Sequence, residues 1–134
     1  MPSPASLKKR PIDEGELAET LETQFSLPRI ETRAYIKLVQ TPDPTVSEAS
    51  SLLGLPAEEV RILFERMVER GLIIRTVGDP PRFKPLHPRM TLTNIFKMHE
   101  QAVVQGLRDR RATVDRAVNL LTPIYEERKT KIGT

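Results

Sequence analysis

Cysteine is absent from this 134-residue chain, which removes disulfides, thiolate metal sites and cysteine nucleophiles together. Tryptophan is absent as well and aromatics are only 4% of residues, so the 38% apolar fraction must build an aliphatic core. The only histidines, His87 and His99, stand apart with no repeated ligand spacing, and a lone His such as His99 is more often packed or solvated than catalytic. No metal and no cofactor are therefore expected. A glycine-rich phosphate loop, a nucleophile elbow and a paired-carboxylate motif are all missing, so the chain does not read as an enzyme. Uninterrupted apolar runs last only a few residues, far short of the about 20 that cross a bilayer. The start, MPSPASLKKRP, has charges but no apolar stretch behind them, unlike a secretory signal. The expectation is a soluble, cytoplasmic chain with no membrane partner.

What is present is a mild excess of positive charge, +3 in all with a pI near 9.4, which permits nucleic-acid binding without requiring it. Its distribution is more informative. Residues 72–90 carry Arg75, Arg82, Lys84 and Arg89 against Asp79 alone. Residues 56–71 carry Arg61, Arg66 and Arg70 against Glu58, Glu59, Glu65 and Glu69, a slightly acidic balance.

The chain reads in three parts. Residues 1–12 hold Pro, Ser and a Lys8-Lys9-Arg10 cluster without periodicity, and are expected to be a disordered basic tail. Residues 13–90 read as a winged helix-turn-helix. Leu17, Leu21 and Phe25 recur at helical spacing after Asp13, and Pro28 suits the first turn of a second helix reaching about Gln40, with Ile30, Ala34, Tyr35 and Leu38 on one face. Val46 to Leu53 make a two-turn helix capped by Thr45 or Ser47, and Gly54 supplies the left-handed residue that closes it. Pro56 opens the next helix, whose buried face is Val60, Leu63, Phe64 and Met67 and whose cap is Gly71. At about 100° per residue this leaves Glu58, Arg61, Ile62, Glu65 and Glu69 outward. Leu72 to Val77 and Arg82 to Leu86 pair antiparallel around a wing loop lengthened by Pro80 and Pro81.

Residues 91–134 form the third part, a long helix expected to kink or end near Pro123. Phe96, Val103, Leu107, Val114, Ala117 and Leu121 fall on a 3–4 seam over residues 91–121, with Glu100 and Arg110 as its two charged members. The seam predicts a homodimer through a coiled coil. The fold class is thus mainly α with a small β-wing, a winged helix-turn-helix followed by a dimerisation helix.

A helix-turn-helix most often holds its second helix in a DNA major groove. Duplex DNA carries about one negative charge per 1.7 Å, so Glu58 and Glu59 at the leading end of that helix are electrostatically unfavourable there. They either serve the positive helix N-terminus, or Glu58 accepts from cytosine N4. Arg61 is the candidate for a base edge, with guanine its natural partner; the competing role is a pair with Glu65. Ser47 either donates to phosphate beside the helix amides or caps its helix. Arg75, Arg82 and Lys84 either contact phosphate from the wing or protect a solvated edge strand. Exposed Ile62 completes the set; with the acidic helix start it favours a protein partner, whereas the basic wing favours DNA.

The residues also resemble a known family. Leu27-Pro28-Arg29-Ile30-Glu31-Thr32-Arg33-Ala34-Tyr35, Ser47-Glu48-Ala49, Leu53-Gly54-Leu55-Pro56, Val60, Glu69-Arg70-Gly71-Leu72-Ile73 and Pro81-Arg82-Phe83-Lys84-Pro85 are similar to the N-terminal domain of TrmB-type archaeal transcription regulators, over residues 15–127. Two departures stand out. The sugar-sensing domain of larger members has no counterpart in this sequence, and the helix start usually written Pro-Arg-Ser-Lys-Val-Tyr is here Pro56-Ala57-Glu58-Glu59-Val60-Arg61. The resemblance implies a DNA-binding transcription regulator that reads a pseudo-palindromic site as a homodimer. Its partners would be double-stranded DNA, a second copy and the transcription machinery. The alternative is a winged-helix protein-interaction subunit of a larger transcription or chromosome assembly.

Overall fold

The computed structural model describes residues 13–132. The expected basic tail, 1–12, lies outside them. Helix α1 spans Glu14–Phe25, with the Asp13 side chain accepting from the Glu16 amide at 3.0 Å and Glu14 and Glu16 in the first turn. Helix α2 spans Arg29–Gln40 and starts behind Pro28. Its buried side differs from the expected face. Ile30 is exposed, whereas Glu31, Thr32, Ala34, Ile36 and Leu38 are buried. The helix is covered on two sides, and the Glu31 carboxylate is met by Arg70.

Helix α3, Val46–Leu53, is capped by Thr45, whose hydroxyl accepts from the Glu48 amide, so the choice between Thr45 and Ser47 falls on Thr45. Gly54 closes it at φ 68°. Helix α4, Ala57–Arg70, buries Val60, Leu63, Phe64 and Met67, the face that the spacing predicts, and ends at Gly71 with φ 79°. Strands β1 (Ile73–Arg75) and β2 (Phe83–Pro85) pair antiparallel, Ile74 opposite Lys84 and Arg75 opposite Phe83. Residues 76–82 form the long wing loop. One core joins these elements through Leu21, Leu27, Leu38, Ala49, Phe64, Met67, Leu72, Phe83 and Ile95. The Phe64 and Phe83 rings sit 4.8 Å apart, so the wing is packed onto α4.

Helix α5 spans Pro88–Ile132. Internal contacts divide the chain after Lys97, so the first residues of α5 belong with the winged unit, where Thr91 and Ile95 are buried. The boundary expected from sequence was residue 90. From Met98 onward the second unit is helical and largely exposed. The helix does not end at Pro123. The proline leaves the Asn119 carbonyl without its usual amide donor, but that turn is exposed to water, and the neighbouring Thr122 hydroxyl donates to the Val118 carbonyl at 2.6 Å. Among the described residues no helix is long and apolar enough to cross a membrane.

Candidate nucleic-acid interface

The start of α3, the start of α4 and the wing converge. Ser47, Arg61 and Arg75 line one open hollow with Thr45, Val46, Ala57, Pro80, Pro81 and Phe83. Each reaches it for a local reason. Thr45 takes the cap, which leaves the Ser47 hydroxyl in the first turn without a hydrogen bond among the described residues. Burial of Val60 and Phe64 turns Arg61 outward. Pairing with Phe83 sets the Arg75 guanidinium over the Phe83 ring, 5.6 Å from its centre.

Arg61 is already engaged, but with Glu58 rather than Glu65: the two form an ion pair one turn apart, both side chains more than half exposed. Arg82 is held within the fold. Its guanidinium donates to the Asp43 carbonyl at 2.8 Å and lies 3.1 Å from Glu48, and the next amide, Phe83 N–H, donates to the Pro44 carbonyl at 2.9 Å. The second wing strand is thereby tied to the segment leading into α3. Lys84 is exposed on β2 with no ion pair among the described residues.

Ile62 does not join this hollow. It lies on a different one with Ile30, Leu55, Glu59, Leu63 and Arg66. Arg66 is a further cation on the outward side of α4, beyond the outward set expected from helical spacing; its place one turn after Ile62 is the signal for it. Arg70, by contrast, is withdrawn from the surface charge of α4. It meets both Glu31 carboxylate oxygens, at 2.9 and 3.2 Å. Burial nevertheless pushes the Glu31 carboxyl above its ordinary range, against the pull of Arg70.

In the second unit Val103, Leu107, Val114, Ala117 and Leu121 are all exposed, as is Phe96 ahead of them on the same helix. Val114, Ala117, Val118, Leu121 and Tyr125 form a shallow apolar patch.

Comparison with known proteins places the chain. A family model described as "Sugar-specific transcriptional regulator TrmB" matches residues 21–89. A DNA-binding HTH-type transcriptional repressor, TrmBL2 of Thermococcus kodakarensis, is 25% identical over 117 residues, covering 87% of this chain and 44% of that protein. The chain spans less than half the length of the curated relatives it matches. Among solved structures, TrmBL2, an archaeal chromatin protein with a novel mode of DNA binding, superposes with a TM-score of 0.71 at 22% identity, over 84% of this chain and 43% of that one. A MarR family protein from Bacillus stearothermophilus gives 0.50 at 17% identity, over 85% of this chain and 86% of that one. With the family pattern covering α2 through the wing, this chain belongs to the TrmB family of transcriptional regulators.

Proposed function

We propose that the chain is a DNA-binding transcription regulator that acts as a homodimer on a pseudo-palindromic site. Two α4 helices would enter successive major grooves about 34 Å apart. The observation that carries the reading is the convergence of Ser47, Arg61 and Arg75 on one open hollow between α3, α4 and the wing. The DNA-binding names of TrmBL2 in the relative and in the solved structure support it. Because α4 itself is slightly acidic, the phosphate attraction falls to the wing, chiefly Lys84, with Ser47 donating beside the amides of α3. Arg61 reads a base edge after exchanging Glu58 for guanine, and the exposed seam of α5 joins the two copies.

Fluorescence anisotropy on a selected duplex and a scrambled one tests this. Arg61→Ala should cost about 1–3 kcal/mol on the selected site and relax one position per half-site. An unchanged base preference removes Arg61 as the reader. A second reading, a protein-interaction subunit, draws on the apolar hollow of Ile62, Ile30 and Leu55 on the other side of α4. In that case Ile62→Asp abolishes partner capture and Arg61→Ala leaves DNA affinity alone.

A further inference from the structure

The α5 seam contains two charged residues, Glu100 and Arg110, of opposite sign. Both are exposed and neither has an ion-pair partner among the described residues. Seam residues of a helix pair face one another, so orientation decides what each charge meets. In a parallel, in-register pair, Glu100 faces the partner's Glu100 and Arg110 faces the partner's Arg110, two unfavourable layers. An antiparallel pair that sets Val103 against the partner's Leu107 is centred on Gln105. The same centre sets Glu100 against the partner's Arg110. Sliding one heptad either way destroys this, placing Glu100 against the partner's Val103 or Ala117 and Arg110 against the partner's Thr93 or Leu107. A single register neutralises both charges.

Gly106 supports the same centre. It is the one glycine within α5, where glycine weakens a helix relative to alanine. Nothing among the described residues demands it: a Cβ there would meet only Arg110 of its own helix, at 3.7 Å. Beside a two-fold axis at Gln105, the two Gly106 residues flank the same interface and let the helices approach, while exposed Val104 meets its own copy on the other flank. We propose that the α5 seam docks a second copy of this chain in antiparallel orientation, centred on Gln105, with Glu100 paired to Arg110 of the partner subunit. This rests on the homodimer proposed above and specifies its orientation.

Charge exchange tests the arrangement. Glu100→Arg and Arg110→Glu alone should each raise the dimer dissociation constant at least about tenfold in sedimentation equilibrium, and the double exchange should restore it to within about threefold. In a parallel pair each exchange leaves like facing like and the constant nearly unmoved. The absence of cysteine allows a direct geometric check. Mixed Val103→Cys and Leu107→Cys copies should cross-link to each other under oxidation, and Val114→Cys copies should not cross-link to themselves. Self-linking at Val114, or a double exchange that restores nothing, overturns the antiparallel arrangement while leaving the dimer intact. A chain that stays monomeric by light scattering at every concentration overturns the dimer and the arrangement together.

Discussion

Glu58→Gln should strengthen DNA binding, and the size of the gain follows from its surroundings. Glu58 stands in the first turn of α4, outward, and occupies the guanidinium of Arg61. Its removal has two effects on a bound duplex. Arg61 is released from an exposed pair of the kind worth about 0.3–0.5 kcal/mol. If the phosphates of a docked duplex lie about 8 Å away, loss of the negative charge adds about 0.5 kcal/mol per phosphate in water before screening and less at ordinary salt. Together these give about 0.5–1 kcal/mol per subunit, or about 5- to 30-fold in the affinity of the proposed dimer. The protein itself should become less stable, by about 0.5–1.5 kcal/mol, since the pair and a favourable charge at the helix N-terminus both go. Anisotropy at low and high salt measures the first effect and thermal unfolding the second. Weaker binding confined to the selected site would refute the argument by making Glu58 a base contact. Unchanged binding would refute it by placing this side of α4 away from DNA.

Arg82 and Lys84 should separate. Lys84→Ala should leave stability alone and flatten the salt dependence of binding by about 0.9 per subunit, whereas Arg82→Ala should destabilise the fold by about 1–2 kcal/mol through loss of the Asp43 carbonyl and Glu48 contacts. Denaturant titration and salt-dependent anisotropy read the two effects, and equal stability of the two variants would contradict the anchoring of Arg82. Gly71→Ala should cost about 2–3 kcal/mol by calorimetry, because φ is positive and the new methyl meets the Asn94 amide that donates to the Gly71 carbonyl. Glu31 should give a pH signature. Its pKa is raised in the folded state, so its contribution is full below the unfolded value and declines as pH rises through the folded one. Acidification from neutral toward that range should therefore stabilise the wild type relative to Glu31→Gln, and a difference of the opposite sign would refute the assignment.

The parts of the fold that depend on neighbouring residues were legible. Val60, Leu63, Phe64 and Met67 repeat at helical spacing, and Gly54 and Gly71 stand where left-handed caps are needed, so α3, the turn and α4 follow from local rules. The face of α2 was not legible. Glu31 is buried because Arg70, 39 residues later, meets it, and no periodicity along α2 contains that partner. The same limit applied at the candidate site. Exposure of Arg61, Ile62 and Lys84 follows from helix and strand alternation, but the attachment of Arg82 to Asp43 and Glu48, and the assignment of Arg61 and Ile62 to different hollows, come from chain segments brought together only by folding.

The end of α4 and the first two turns of α5 share hydrogen bonds. Asn94 donates to the Gly71 carbonyl at 2.8 Å, and Thr91 donates to the Leu72 carbonyl at 3.3 Å. Across from them Tyr35 donates to the Leu86 carbonyl at 2.7 Å, fixing the approach to α5 from α2. No compliant joint therefore separates these helical ends. A torque on those turns of α5 would bear on the exit of α4 directly, through the Asn94 and Thr91 contacts, and not only through the intervening wing.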